Sequence, residues 1–141
     1  MGGAPDRPLA LLLSGRGMMT KKILLVDDSS TQRLASRMLF SNRPNYVLIS
    51  ACDGKEGVEA AIREHPDLIL MDVEMPRMNG FEACKLIKQN PATRHIPIIL
   101  LTTRGEEHNI QQGYASGCSD FLVKPVHQEK LTAAIKKHVG G

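Results

Sequence analysis

Five side chains that can do chemistry sit at the ends of apolar runs. Asp27 and Asp28 follow Ile23–Val26, Asp72 follows Leu68–Met71, Thr102 follows Ile98–Leu101, and Lys124 follows Phe121–Val123. If these runs are parallel strands, their carboxyl ends share the sheet edge at which ligands bind. Three acids crowded there repel one another unless a cation neutralises them. An all-oxygen set selects a hard ion such as Mg²⁺, with Mn²⁺ as a substitute, held by carboxylates, water and phosphate oxygens. Asp72 has a second capacity, because a carboxylate can attack phosphorus and form an acyl phosphate. Thr102 can donate to phosphoryl oxygens, and Lys124 can pair with them as a point charge. Pro125, next in the chain, lowers the cost of a cis peptide bond after Lys124. Adjacent acids after a strand also suit the start of a helix. That simpler account leaves Asp72 and Lys124, at two other strand ends, unexplained.

The elements that must position these groups alternate between β-type runs and helical patterns, the mark of an α/β fold. After the first run, Ser29, Ser30 and Thr31 offer N-caps for a helix to about Phe40, with Leu34, Met38 and Leu39 as its buried stripe. A second strand covers Tyr46–Ala51. Asp53-Gly54 turns into a helix in which Val58, Ala61 and Ile62 share a face. Pro66-Asp67 resets the chain for the strand ending at Asp72. Pro76 and Gly80 keep the next segment in a loop, and a third helix runs over Phe81–Gln89. A polar helix from about Glu106 to Ser116 stops at Gly117. The last helix, Gln128–Val139, packs through Leu131, Ala134 and Ile135. Five such units with right-handed connections predict one five-stranded parallel sheet, doubly wound and flavodoxin-like, with five helices on its two faces.

Composition narrows the function classes. At 141 residues the chain suits one domain. Its net charge of +3 comes from residues 1–22, and the remainder balances at 14 basic and 14 acidic side chains, which gives no basic face for nucleic acid. Cys52, Cys84 and Cys118 are odd in number and dispersed, as reduced thiols of a cytoplasmic protein are. No apolar stretch reaches the roughly 20 residues of a membrane span. His65, His95, His108, His127 and His138 lack ligand spacing and read as surface residues, and Met71, Met75 and Met78 read as packing. Residues 1–19 read as a disordered leader, either appended or translated from upstream of a start at Met18 or Met19, and residues 140–141 as a tail.

The segments ILLVDDS, LILMDVEMPRMNG, PIILLTT and DFLVKP, in that order, make residues 20–139 resemble the receiver domain of two-component response regulators. The spacings match too, with 44 residues from Asp28 to Asp72, 30 from Asp72 to Thr102 and 22 from Thr102 to Lys124. The resemblance implies that Asp72 accepts a phosphoryl group from a histidine kinase. It implies Mg²⁺ on Asp27, Asp28, Asp72 and the backbone carbonyl of Glu74, with Thr102 and Lys124 on the phosphoryl oxygens. It also implies a switch in which Thr102 moves inward and Phe121 rotates with it. Thr103 departs from the small residue common at its position and would narrow access to the site. Glu74 and Arg104 flank the site with opposite charges. Paired across its mouth they would exclude water and slow self-dephosphorylation.

The chain as given stops after its last helix, so a stand-alone receiver is expected, one that signals by binding another protein. The expected surface comprises the fourth helix, fifth strand and last helix, with no nucleic acid or membrane as partner, in a monomer or a phosphorylation-dependent dimer. A chemotaxis or motility role is an analogy of architecture only. A phosphate sink or relay intermediate is an alternative output. A scaffold that never takes phosphate would not need the full set of five residues. A small Mg²⁺-dependent phosphatase, with Glu74 as acid/base beyond an Asp72 nucleophile, would need a substrate pocket that the sequence does not suggest. The chain is therefore expected not to be an enzyme beyond its own phosphotransfer and autodephosphorylation.

Overall fold

Apolar residues fill every position of β3 (Leu68–Asp72) up to Asp72, and of β4 (Ile98–Thr102) up to Thr102. Strands of that kind require helices on both faces. The computed structural model describes residues 20–41 and 43–139 and has that architecture. β1 (Lys21–Val26), β2 (Tyr46–Ala51), β3, β4 and β5 (Asp120–Val123) form one parallel sheet in the order β2-β1-β3-β4-β5. The chain reverses direction across the sheet between β1 and β3, so that Asp27 and Asp72 flank the switch point, where such sheets bind ligands. The expected leader over residues 1–19 and the tail at 140–141 lie outside the described residues.

Two cores follow from the period-2 alternation of the strands. Leu24, Val26, Ile69, Met71, Ile98 and Leu100 pack against α2 (Gly54–Glu64) and α3 (Gly80–Gln89) through Ala60, Ala61, Phe81, Ala83, Cys84 and Ile87. Ile23, Leu25, Leu68, Leu70, Ile99 and Leu101 face α5 (Gln128–Val139), whose Leu131, Ala134 and Ile135 are buried as expected. α4 (Glu107–Ala115) is the polar helix expected before Gly117, whose φ of 104° is a conformation that glycine adopts without penalty.

Two helices turn differently from the reading of their periodicity. In α1 (Ser30–Leu39), Leu34 is 59% exposed and Met38 67% exposed, and only Leu39 of the expected stripe packs on the core. Polar contacts of two arginines accompany this rotation. Arg33 Nη1 donates to the carbonyl of Asp27 at 2.5 Å, and Arg37 Nη2 donates to Ser50 Oγ at 2.9 Å. In α2 the buried face is Gly54, Gly57, Ala60 and Ala61, while Val58 is half-buried and Ile62 exposed. A Cβ on Gly57 would lie 2.9 Å from both Val26 methyls, so small residues bring this helix close to β1, while Val58 packs at the core's margin as expected and Ile62 turns outward.

Candidate functional site

Each strand end delivers its side chain to one edge. Asp27, one residue beyond β1, and Asp72, the last residue of β3, are 3% and 4% exposed, and Thr102 is fully buried. Asp28 is exposed. Oxygens of Asp27, Asp28 and Asp72 lie within 4.8 Å of one another. This set of three carboxylates suits a hard divalent cation and lacks the nitrogen or sulfur that softer metals favour. Asp27 Oδ1 accepts from the backbone N–H of Ser29 at 2.9 Å, which fixes its rotamer at the start of α1. Ser29 caps that helix by accepting from Gln32 N–H at 3.2 Å.

Lys124 neutralises part of this charge. Its Nζ donates to Asp72 Oδ1 at 2.9 Å and lies 3.8 Å from Asp27 Oδ2. The Lys124–Pro125 peptide bond is cis. Burial pushes the Asp72 carboxyl above its ordinary range. The Lys124 ammonium pulls the other way, while Asp27 and Glu74 add to the upward push.

The β3–α3 loop is held against the strand end. Gly80 N–H donates to the carbonyl of Val73 at 2.9 Å, and a Cβ there would lie 2.8 Å from Val73 Cα and closer still to the carbonyl of Asp72. Asn79 and Glu82 form a reciprocal capping box, each side chain accepting a backbone N–H at 2.9 Å. Gly80 was legible as a loop breaker, but its close approach to Asp72 was not, since no local pattern records it.

Glu74 occupies a place that sequence reasoning missed. Its Oε2 accepts from the Thr102 hydroxyl, and its Oε1 accepts from the Thr103 N–H at 3.1 Å and the Thr103 hydroxyl at 3.4 Å. The expected Glu74–Arg104 pair across the mouth is not among the ion pairs of the described residues. Closer backbone and hydroxyl donors outcompete the flexible guanidinium. The backbone N–H of Arg104 donates to Thr102 Oγ1 at 3.0 Å.

Phe121 is half-buried against the α2–α3 core, and a Cβ on Gly113 of α4 would come within 2.7 Å of its ring. The expected switch aromatic thus touches the helix after the Thr102 loop. Met71 and Met75 are buried and Met78 packs on the core, as expected for packing residues. Four histidines are exposed, but His138 is not a surface residue. Its Nε2 lies 3.2 Å from Asp120 Oδ2, and the side chain is 15% exposed. A cleft of about 430 Å³ runs from Asp27 and Lys124 between α1 and α5, over Leu70, Leu101 and Leu131. No helix among the described residues is long and apolar enough to cross a membrane.

Comparisons with known proteins bear on this geometry. The response regulator receiver domain model matches residues 23–136. The response regulator PleD of Caulobacter vibrioides is 40% identical over 119 residues, which are 84% of this chain and 26% of PleD, so the chain spans about a quarter of that relative. Protein PilH of Pseudomonas aeruginosa is 37% identical over 120 residues, 85% of this chain and 98% of PilH. Among solved structures, the receiver domain of the sensor histidine kinase PA1611 from Pseudomonas aeruginosa has a TM-score of 0.78 at 27% identity. The match covers 86% of this chain and 99% of that one, which carries a magnesium ion in its active-site cleft.

Proposed function

Because the chain belongs to the response regulator receiver domain family, whose domains act as phosphorylation-activated switches in two-component signalling, we propose that Asp72 is its phosphoryl acceptor. The observation that carries this reading is Asp72 itself, a buried carboxylate at the switch point, 2.9 Å from an ammonium and within 4.8 Å of two further acids. In the transfer step, an ionised Asp72 oxygen bonds to the phosphorus of a phosphohistidine. The P–N bond breaks and its electron pair returns to the imidazole ring. Lys124 offsets part of the burial that disfavours the ionised Asp72, and can then follow the charge onto the phosphoryl oxygens. Thr102, on the adjacent strand, supplies a hydroxyl donor.

Mg²⁺ fits the donor set and, when bound, neutralises charge between the acids and the incoming phosphoryl group. The chain's own ligands for it would be Asp27, Asp28, Asp72 and the carbonyl of Glu74, and Mn²⁺ would fit the same oxygens. The PA1611 receiver, with magnesium in its cleft, supports this assignment. Autodephosphorylation would use the same groups, with water reaching phospho-Asp72 along the cleft beside α1.

Output would pass through Phe121. Its ring lies against Gly113 of α4, so a ring movement coupled to Thr102 would alter the face formed by α4, β5 and α5, where Tyr114 and Val123 are exposed. That face is the proposed docking surface for a downstream protein, in the cytoplasm. The decisive experiment is intact-mass spectrometry after incubation with Mg²⁺ and acetyl phosphate. One added phosphoryl group is expected, absent from Asp72→Ala and from metal-free protein. Retention of the added mass by Asp72→Ala would refute Asp72 as the acceptor.

A further inference from the structure

We infer that Glu74 is a built-in competitor of the phosphoryl group, a carboxylate seated on the Thr102 hydroxyl that phospho-Asp72 would use, so that it sets how readily the site accepts phosphate. The inference rests on the reading of Asp72 as acceptor and adds a residue that positions its neighbours. A hydroxyl carries one hydrogen. The hydrogen of Thr102 is spent on Glu74 Oε2, and its oxygen accepts Arg104 N–H at 3.0 Å. The next donor along the loop, Thr103 N–H, is spent on Glu74 Oε1 at 3.1 Å. Thr102 can therefore serve Glu74 or the phosphoryl group, never both.

The competition is local. Asp72 pairs in register with Leu101, which places Thr102 one residue further along the same edge. Glu74 lies two residues beyond Asp72 and reaches across to the β4 loop. Its carboxylate offers oxygens to the Thr102 hydroxyl, the donor a phosphoryl group would use, and to the neighbouring Thr103 N–H. Bonds to an ionised acceptor are about twice as strong as neutral ones, so the latch raises the cost of freeing Thr102. A phosphoryl group on Asp72 repels Glu74 and takes over the Thr102 hydroxyl. Expulsion of Glu74 then releases Thr103 and Arg104 from the arrangement they hold in the resting protein.

Two variants separate donor competition from simple charge. Glu74→Ala removes the acceptor. Glu74→Gln removes the charge but keeps an amide oxygen that still accepts from Thr102, more weakly. Time courses of phosphorylation by acetyl phosphate with Mg²⁺, read by intact mass, are expected to run about tenfold faster in Glu74→Ala, the equivalent of one charged hydrogen bond. Glu74→Gln is expected to fall between the alanine variant and the native protein. The same order is expected in the affinity for beryllofluoride with Mg²⁺, an unreactive mimic of the acyl phosphate. Equal rates and affinities in all three proteins overturn the latch while Asp72 stands as acceptor. Equal acceleration in both variants also overturns it, because charge alone would then suffice. If the native protein takes no phosphoryl group at all, the reading of Asp72 falls and the latch falls with it.

Discussion

Asp72 shows how a functional residue works against the fold that holds it. Burial raises its carboxyl above the ordinary aspartate value of 3.8, and Lys124 offsets this only in part. The folded protein therefore holds that proton more tightly than the unfolded chain does. Its contribution to stability is complete below about 3.8 and is lost as pH rises through the higher folded-state value. Without metal, the buried carboxyl therefore becomes a liability as the pH rises. Asp72→Asn is accordingly expected to melt higher than the native protein at pH 7 in chelator-treated buffer, with the advantage fading toward pH 3. A lower melting temperature for the variant at pH 7 would mean that the Lys124 pair outweighs the burial. The residue type and its place at a strand end were legible in the sequence, because a polar residue ending an apolar run needs only one dimension to be seen. The seat of Glu74 was not legible, because its partners Thr102 and Thr103 lie 28 and 29 residues away and no local pattern links them.

At the scale of the element, α1 and α3 make the useful contrast. Ile87 of α3 is fully buried among Cys84, Ile69 and Leu100, whereas Leu34 and Met38 of α1 are mostly in solvent. Ile87→Ala is expected to cost about 2–5 kcal/mol in urea denaturation, whereas Leu34→Lys or Met38→Lys should change stability by no more than about 0.5 kcal/mol. A cost above about 2 kcal/mol for either α1 variant would put that side chain inside the core and return the helix to the rotation its periodicity suggested. Periodicity found α1, and strand and helix bounds were legible to within a residue or two. Rotation was not, because Leu34, Met38 and Leu39 fit a helical stripe as well as the true inward face does. The observed rotation packs Leu39 and Phe40 on the core and lets Arg33 and Arg37 reach the Asp27 carbonyl and Ser50. α2 went the same way for a different reason. Gly57 and Ala60 have little hydrophobicity to display in a pattern, yet their small size is what lets the helix approach β1.

At the scale of the whole molecule, the acidic edge exists only when the sheet is assembled. Asp27 and Asp28 follow β1, Asp72 ends β3, and Lys124 follows β5 at the sheet's far side, so the unfolded chain has no comparable cluster. A cation that binds the cluster binds the native state alone and stabilises the entire fold by mass action. At a concentration 100 times its dissociation constant, the gain is about 2.7 kcal/mol. Mg²⁺ titrated into the native protein is therefore expected to raise its melting temperature in a saturable way, and Ca²⁺, which prefers more ligands at longer distances, to raise it less. Asp27→Asn should lose most of that increment while remaining folded, since its amide oxygen can still accept the Ser29 N–H that Asp27 accepts. An equal increment in the variant would place the cation elsewhere. The sheet order is what makes this linkage sharp. β1 and β3 are neighbours although 41 residues lie between Val26 and Leu68, and that adjacency sets two repelling acids side by side where only a cation, or the ammonium of Lys124, relieves them.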